Sequence, residues 1–317
     1  MNKLLIIASG GGHTGFARAV AEYLPFKADF IIPENDSNSR LLLQPFANRI
    51  YEVSKPREPL GSSLSLFSKG LRALSQSLSI PKYKVTLATG SNHSYIPSLV
   101  QYLKGTTLYV IESQDRIVTK GRTTYLLSKL SRGVFLHWKE QSALYRKGIV
   151  TGPILQRRKY EPKNDGYIFV TAGTEGFKSL FDKIVTLGLD NVVIQTGKID
   201  PSIYRGRARL AFSFDPNIEQ FIASSSLVIT HQGKTAMESA VLYGKPTIIV
   251  FNKALTRAAT YEDVRIYSKI IGATFLDDPS TWSNDREILE AIKEARKPTS
   301  HEIGTEKLVK VIISAIE

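Results

Sequence analysis

The sequence predicts an α/β protein with two Rossmann-like domains facing a cleft. Three observations predict this class: a length of 317 residues, two series of short apolar runs alternating with helical patterns, and a polar segment between the series. A chain of this length is about twice the usual size of a single domain. Buried strands that alternate with helices form parallel sheets through right-handed crossovers. We therefore expect one such sheet in each half.

The elements follow in order along the chain. In the first half, apolar β-branched runs predict strands at residues 3–8, 28–32, 85–88 and 108–111. In the second half, similar runs predict strands at residues 167–170, 192–194, 227–229 and 247–250. Residues 152–166 are polar and contain Pro and Gly, which is typical of a linker. We predict domains at residues 1–155 and 156–317, with a last helix at 304–317 that is a candidate to cross back to the first domain.

Composition excludes several kinds of site. The chain has no cysteine, which excludes disulfides, thiolate nucleophiles and Cys-ligated zinc, and fits a reducing compartment. None of its twelve aspartates forms an Asp-x-Asp pair, and no cluster has metal-ligand spacing, so we expect no metal. The apolar runs are shorter than the roughly 18 residues that span a bilayer, and glycines follow the first strand too early for a signal peptide. These features predict a cytoplasmic protein.

Positive charge is concentrated in the first half. Residues 1–155 contain 20 Lys and Arg against nine acidic residues, whereas residues 156–317 contain 22 against 20. The densest stretch, residues 116–159, has eleven Lys and Arg and one Glu, and it fits a solvated face as well as an anion-binding surface. Nucleic acid, anionic lipid and pyrophosphate all suit such a surface, so charge alone leaves the partner open.

An apolar stripe lies in the first half. Its members recur at steps of four and three, with Lys69 and Arg72 beside them: Leu60, Leu64, Phe67, Leu71, Leu74 and Leu78. This spacing predicts an amphipathic helix. Such a helix can lie in a lipid headgroup layer, but packing on the protein's own sheet is commoner and is favoured here.

The turn after the first strand is rich in glycine and contains a histidine. Residues 8–16 read ASGGGHTGF, and glycines followed by a helix N-terminus favour the approach of a phosphate. The glycines also fit a dinucleotide fingerprint, with Glu34 at about the expected distance, so a nicotinamide dehydrogenase is an alternative. A dinucleotide loop has no use for an imidazole, whereas a sugar transferase needs a base. We therefore predict a catalytic role for His13, with helix capping or a hydrogen bond to the backbone as the simpler alternative.

Two further turns of the first half end strands with polar residues. Residues 89–97 (TGSNHSYIP) open a helix and offer a second rim of N–H groups. Residues 111–116 (IESQDR) place Glu112 at the carboxyl end of a strand, the usual edge of an α/β active site. Glu112 is predicted to be a general base or to orient His13, and a structural cap is the alternative.

The second half has a comparable turn. Residues 230–239 (THQGKTAMES) follow a predicted strand and begin a helix. Gly233 permits close approach, while Lys234 and Thr235 place a cation and a hydroxyl at the positive helix end. Glu238 lies one turn further along. The pattern suits a diphosphate beside a ribose diol, and an ordinary capped βα turn is the alternative.

With these motifs the chain resembles the GT-B fold glycosyltransferases of the family that includes the bacterial peptidoglycan N-acetylglucosaminyltransferase. It resembles more closely a fusion of the two subunits of the eukaryotic enzyme that adds the second GlcNAc to dolichol pyrophosphate. The first half is similar to the membrane-recruiting acceptor subunit in residues 9–14, 90–97, 111–113 with Arg116 and Gly121, 135–138 with Tyr145, and 152–154. The second half is similar to the donor subunit in residues 169–174, 227–233 and 238–246.

The resemblance implies an inverting, metal-independent transfer of GlcNAc from UDP-GlcNAc to a sugar on polyprenyl or dolichyl pyrophosphate. The implied acceptor sugar is GlcNAc, with a β-1,4 linkage, in lipid-linked oligosaccharide assembly for N-glycosylation. The implied protein needs no cofactor beyond its UDP-sugar substrate, binds no nucleic acid, and lies peripherally on the cytoplasmic face of an anionic cell membrane. Oligomeric state is left open.

The resemblance also assigns residues. His13 and Glu112 are the expected catalytic residues. The donor is expected to contact Gly173, Thr174, Phe214, His231, Gln232, Gly233, Lys234, Thr235 and Glu238. In that set Glu238 would bind the ribose hydroxyls, residues 233–235 the pyrophosphate, and the segment around Phe214 the uracil. The acceptor is expected to contact Gly11, Gly12, Thr14, Ser91, Asn92, His93 and Arg116.

Some residues depart from the family's pattern. Small residues usually stand where Gln232 and Lys234 stand, and glycine usually stands where Asn92 and His93 stand. A UDP-GlcNAc 2-epimerase of the same fold, which needs no lipid, is an alternative function. A nucleotide-sugar sensor that binds without turnover is another.

Overall fold

The computed structural model describes residues 2–56 and 66–317 of the chain. The chain forms two compact units, Met1–Arg157 with Glu302–Glu317 and Arg158–His301. Each unit contains one parallel sheet, which confirms the predicted class of two Rossmann-like domains.

The first unit contains a seven-stranded parallel sheet in the order β3-β2-β1-β4-β5-β6-β7. Its strands are β1 (Asn2–Ile7), β2 (Ala28–Pro33), β3 (Ala47–Val53), β4 (Tyr83–Ala88), β5 (Thr107–Ile111), β6 (Gly133–Leu136) and β7 (Gly148–Val150). Its helices before the linker are α1 (Gly12–Tyr23), α2 (Ser37–Leu43), α3 (Leu66–Ser79), α4 (Tyr95–Leu103) and α5 (Arg122–Ser128). Because β1 lies next to the central strand β4, the turn that follows β1 lies near the middle of the sheet's carboxyl edge.

The second unit contains a six-stranded parallel sheet in the order β10-β9-β8-β11-β12-β13. Its strands are β8 (Ile168–Thr171), β9 (Val192–Gln195), β10 (Leu210–Phe212), β11 (Leu227–His231), β12 (Thr247–Val250) and β13 (Thr274–Leu276). Its helices are α6 (Lys178–Thr186), α7 (Ile218–Ser224), α8 (Lys234–Met237), α9 (Tyr261–Ile271) and α10 (Arg286–Glu294). The central pair, β8 and β11, carries the two glycine turns of this unit.

All eight predicted strands are present, as β1, β2, β4, β5, β8, β9, β11 and β12. They form because apolar β-branched residues occupy both faces of a sheet that helices cover. Five further strands of the described residues were not predicted. Strands β7, β10 and β13 are only three residues long, β6 begins with Gly133, and β3 contains the charged residues Arg49 and Glu52.

The apolar stripe lies on solvent-exposed α3, so the favoured interpretation, in which the stripe packs on the protein's own sheet, is wrong. The exposed fractions are 80% for Phe67, 53% for Leu71, 40% for Leu74 and 59% for Leu78. Helix α3 instead buries small residues, Ala73 and Ser77, on its inner face. Leu60 and Leu64 lie outside the described residues. Within the described part of the chain, every helix is too short or too polar to cross a membrane.

The last helix, α11 (Thr305–Ile316), belongs to the first unit, where it packs against α1 and β4. Its first residue, Thr305, binds the backbone of Leu155 near the end of the first part of this unit. The Thr305 hydroxyl donates to the Leu155 carbonyl over 2.6 Å. The Leu155 N–H in turn donates to the Thr305 hydroxyl oxygen over 2.8 Å. Gly152 (φ 107°) lies beside this contact, and a Cβ there would stand 3.1 Å from the Glu302 carbonyl oxygen.

Candidate active site

The turn between β1 and α1 is open at the carboxyl edge of the first sheet. Gly10 (φ 85°) and Gly11 (φ 53°) adopt left-handed conformations that side chains resist, and Gly11 and Gly12 are exposed. Helix α1 begins at Gly12, so His13 stands in its first turn. Exposed N–H groups and the positive helix end therefore meet at one point beside His13.

A backbone carbonyl orients the His13 ring. Its Nδ1 lies 2.6 Å from the carbonyl oxygen of Thr89, at the end of β4. A carbonyl only accepts hydrogen bonds, so Nδ1 carries the proton of the neutral ring and Nε2 bears the lone pair. Gly90 makes room for this arrangement, because a Cβ there would stand 3.1 Å from the His13 Cε1.

Electrostatics keep His13 neutral at physiological pH. Burial lowers the pKa of His13 to about 4, and the nearby positive charge of Lys55 lowers it further, while the Thr89 hydrogen bond opposes the shift. Lys55 follows β3, and its Nζ lies 3.9 Å from the position that a Gly10 Cβ would occupy. Lys55 could not be found from the sequence, since β3 was not predicted and a lysine after an unrecognised strand gives no signal.

Glu112 is buried at the end of β5, with 1% of its surface exposed. Its carboxylate accepts hydrogen bonds from the Tyr145 hydroxyl, from the Ser113 N–H over 2.7 Å and from the Gly121 N–H over 2.9 Å. Burial raises the pKa of Glu112, and these three donors oppose the rise. The carboxylate thus closes the loop of residues 113–121 onto the sheet edge.

The two predicted catalytic residues do not contact each other through a hydrogen bond. Strand β4 lies between β1 and β5, and the rings of Phe16 and His137 lie between the two residues. The Phe16 and His137 ring centroids are 5.1 Å apart, and His137 Nε2 lies 3.1 Å from the Glu112 carbonyl oxygen. The hypothesis that Glu112 orients His13 is therefore wrong, because Thr89 does so.

The predicted acceptor residues divide into two groups. Gly11 and Gly12 are exposed, and Ser91 and Asn92 are partly exposed at the start of the turn before α4. The other three side chains are buried and bond within the protein: Thr14 to Ser39, His93 to Val53 and Ser9, and Arg116 to Thr119. These three buried side chains therefore support the loops at the sheet edge through bonds within the protein.

In the second unit, an imidazole lies between two glycine turns. His231 Nε2 is 3.6 Å from the Cβ positions of both Gly173, after β8, and Gly233, after β11. Gly173 has φ 62° and Gly233 has φ 155°, so the backbone favours glycine at both positions. Burial lowers the pKa of His231 to about 4, which keeps the ring neutral. Within the described residues, its buried Nδ1 has no hydrogen-bond partner.

The two residues that depart from the family's pattern, Gln232 and Lys234, bind other residues of the same unit. The Gln232 side chain donates to the Asn252 carbonyl over 3.0 Å and accepts from the Asn252 N–H over 2.9 Å, so its amide ties β11 to β12. Lys234, with 4% of its side chain exposed, forms an ion pair with Glu238, whose side chain is 12% exposed. A π-helical turn, Glu238–Leu242, follows α8.

The remaining predicted donor residues lie along the same sheet edge. Thr174 is exposed after β8, and its carbonyl accepts from the Lys198 N–H over 2.9 Å. Thr235 is partly exposed in α8. Phe214 is partly exposed two residues after β10, at the edge of the sheet. The described residues contain no group of three His, Cys, Asp or Glu placed to hold a metal.

A family model matches the unit that contains this turn. Residues 167–278 match the Glycosyltransferase family 28 C-terminal domain. The second unit is thus similar to the C-terminal domain of family 28 glycosyltransferases. The matched range includes both glycine turns and His231, and it ends after β13.

Other proteins are similar to this chain over most of its length. One relative is the UDP-N-acetylglucosamine–N-acetylmuramyl-(pentapeptide) pyrophosphoryl-undecaprenol N-acetylglucosamine transferase of Sulfurihydrogenibium sp. (strain YO3AOP1). The two sequences are 24% identical over 277 residues, and the alignment covers 79% of this chain and 78% of that protein. The crystal structure of Acinetobacter baumannii MurG aligns with a TM-score of 0.64 and 19% identity, over 98% of this chain and 99% of that one.

The UDP-GlcNAc 2-epimerase of Neisseria meningitidis, bound to UDP-GlcNAc, aligns with a TM-score of 0.63 and 16% identity, over 99% of both chains. This chain thus has a backbone fold similar to those of a transferase and an epimerase. The chain has the GT-B fold. Likeness to the eukaryotic two-subunit enzyme stays a prediction.

Proposed function

We propose that the chain is an inverting glycosyltransferase that transfers GlcNAc from UDP-GlcNAc to a sugar linked to polyprenyl pyrophosphate. The observation that carries this proposal is the family 28 match of residues 167–278, which spans the turns around Gly173, His231 and Gly233. An oriented, neutral His13 at the edge of the other sheet supports a transfer reaction rather than binding alone.

The second unit binds the sugar nucleotide in this proposal. The N–H groups at the start of α8 face the diphosphate, and Gly173 and Gly233 let the backbone approach it. With its proton on Nε2, neutral His231 donates a hydrogen bond to a phosphate oxygen between the two glycines. Glu238 accepts from the ribose hydroxyls.

The first unit supplies the base. His13 Nε2 accepts the proton of the acceptor sugar's 4-hydroxyl while that oxygen attacks C1 of GlcNAc. The bond between C1 and the β-phosphate oxygen breaks, and UDP leaves with its added charge stabilised by the N–H groups of the second unit. Attack from the face opposite to UDP inverts C1, which gives a β-1,4 linkage from an α-linked donor.

Glu112 has a positioning role in this mechanism. Its carboxylate already accepts from three donors inside the protein and is 1% exposed, so a substrate hydroxyl has little access to it. By fixing Gly121 it holds the basic loop of residues 113–121 at the acceptor side. His13 is therefore assigned as the base.

The lipid side of the acceptor has a matching surface. The exposed apolar side chains of α3, α4 and α5 are Phe67, Leu71, Leu74, Leu78, Tyr102, Leu103, Tyr125 and Leu126. Helices α3 and α4 pack on each other, as do α4 and α5, so these side chains belong to neighbouring helices. No Asp or Glu occurs in residues 59–111. Glu34 of the neighbouring β2–α2 turn pairs with Arg72 of α3 over 2.7 Å, while Lys69 stands beside the apolar side chains. An apolar surface with flanking lysines and arginines fits the headgroup layer of an anionic membrane.

A second candidate function is supported by the fold likeness to the UDP-GlcNAc 2-epimerase of Neisseria meningitidis. One assay separates the two. The protein is incubated with labelled UDP-GlcNAc, with and without an acceptor in detergent. A transferase moves label into lipid only when acceptor is present, and an epimerase makes UDP-ManNAc without it. If neither product forms while UDP-GlcNAc binds, both proposals fail and a sensor remains.

Two acceptors define the finer specificity. We propose GlcNAc linked to dolichyl or polyprenyl pyrophosphate as the acceptor, on the basis of the resemblance in residues 9–14 and 111–121. The alternative is the N-acetylmuramyl-pentapeptide lipid named for the bacterial relative. Comparing kcat/KM for the two lipids at equal chain length decides between N-glycosylation and peptidoglycan precursors.

A further inference from the structure

Lys234 is an unusual residue at an unusual place. It is the first residue of α8, where the helix dipole disfavours a cation, and its side chain is 4% exposed. Burying an ion pair costs desolvation free energy that the attraction between the charges rarely exceeds. A gain in folding stability therefore does not explain why a buried lysine stands at position 234. Its interaction with its ion-pair partner explains this better.

That partner is Glu238, four residues later on the same helical face. The Lys234 ammonium donates to Oε1 of Glu238, which restricts the carboxylate to one orientation. Glu238 also begins the π-helical turn Glu238–Leu242, a local geometry that is frequent at functional sites. The turn thus holds a carboxylate in one place by means of a lysine.

We propose that Lys234 is a positioning residue that holds the Glu238 carboxylate for the ribose 2′- and 3′-hydroxyls, and so gives this turn its preference for a ribonucleotide. The inference rests on the proposed function, in which Glu238 contacts the ribose. Lys234 itself does not contact the nucleotide, because its ammonium is buried on Glu238. The selectivity between UDP and 2′-deoxy-UDP reports this role.

The experiment measures binding of UDP and 2′-deoxy-UDP by calorimetry to the wild-type chain and to Lys234→Met and Lys234→Arg. The wild type is expected to prefer UDP about tenfold or more, the size of one or two charge-assisted hydrogen bonds. Lys234→Met should weaken UDP binding while leaving 2′-deoxy-UDP nearly unchanged, so that the preference falls towards one. Lys234→Arg should restore part of the preference.

Lys178→Met is the matched control. Lys178 forms an i,i+4 ion pair with Asp182 in the same unit, but its side chain is 60% exposed and lies in α6. Both nucleotides should bind this variant as they bind the wild type. Since a buried carboxylate without its lysine can unfold the unit, circular dichroism accompanies each measurement.

If Lys234→Met does not fold, nucleotide binding by Glu238→Gln is compared with that by the double variant Lys234→Met/Glu238→Gln. Both members of the ion pair are neutral in the double variant. A lysine that acts only through Glu238 gives the same affinities in both variants. Weaker binding of both nucleotides by the double variant would show direct phosphate contact and overturn the inference. An unchanged preference in Lys234→Met, or no preference in the wild type, would also overturn it while the donor site stands. Failure of the wild type to bind either nucleotide would instead reject the proposed function.

Discussion

The two units place the same local pattern, a strand followed by glycine and a helix, near the centre of their sheets, but different side chains surround it. In the first unit, His13 follows the glycines and its ring is oriented by Thr89, while the cation Lys55 follows β3, which β2 separates from β1. In the second unit, His231 precedes the glycine and the nearby cation is neutralised by Glu238. The backbone of such a turn suits anions in both units, so the side chains around it decide between proton transfer and nucleotide binding.

Loss of the His13 imidazole is the largest expected effect and tests the comparison directly. His13→Ala should lower turnover by about 10² to 10⁴, the usual contribution of a general base. UDP affinity should stay unchanged, because the donor turn lies in the other unit. Turnover and UDP calorimetry check this, with His301→Asn in the second unit as the control. Retention of more than about a tenth of the turnover would remove His13 as the base.

Glu112→Gln should mainly change stability. The amide cannot accept all three hydrogen bonds, so a buried N–H loses its partner and the free energy of unfolding falls by about 2 to 3 kcal/mol. Because His13 and Glu112 share no hydrogen bond, their effects on turnover should add in the double variant. Denaturant unfolding and a double-mutant cycle measure both quantities. Strong non-additivity would show that the two residues act as one catalytic unit.

The third prediction sharpens the contrast in surface between the units. Phe67→Ser with Leu71→Ser should lower binding to anionic liposomes about tenfold or more, since each side chain buries apolar area in the headgroup layer. The melting temperature should barely change, because Phe67 is 80% and Leu71 53% exposed. Liposome sedimentation at low and high salt measures the effect, and the control is Ile203→Ser, at a 43% exposed position in the second unit. A large loss of melting temperature would contradict the proposed surface.

The smallest expected effect concerns pH. Burial lowers the pKa of His93 and of His231 from 6.5 to about 4, so the unfolded chain binds protons first as pH falls. The stability contributed by each neutral ring is complete above pH 6.5 and is lost as pH falls towards 4. His93→Asn and His231→Asn should each reduce the decline between pH 6.5 and 5 by about 1.5 kcal/mol. Denaturant unfolding at the two pH values measures it, and an unchanged decline would argue against neutral buried rings.

Local pattern was enough to predict the fold class and the two turns, because strand periodicity and glycine before a helix are properties of neighbouring residues. What failed depends on distant residues. The exposure of Phe67 is decided by which face of α3 meets the sheet, and the small residues Ala73 and Ser77 made that contact. The partner of Glu112 is Tyr145, 33 residues away, and spacing gives no sign of such a contact.

The site residues show the same division. His13 was found from its place among glycines, whereas Lys55 was missed because it follows β3, a strand without an apolar run. Thr14 and His93 were predicted to face the acceptor from their loops, but both side chains turn inward to bonds with Ser39 and Val53. A loop's sequence indicates where it lies and not which of its side chains point outwards.

The return of α11 to the first unit makes the second unit an insertion in the first. Leu308, Val309 and Ile312 of α11 are buried there, so a polypeptide ending at Arg157 would leave an apolar groove uncovered. If the chain were severed after Arg157 into two polypeptides, the second would carry the missing helix of the first. The helix would then serve as a latch between two separate proteins, and a peptide of residues 302–317 would compete for the groove. In the intact chain α11 is covalently linked to the first unit through residues 158–301, so the helix that fills the groove is part of the same molecule.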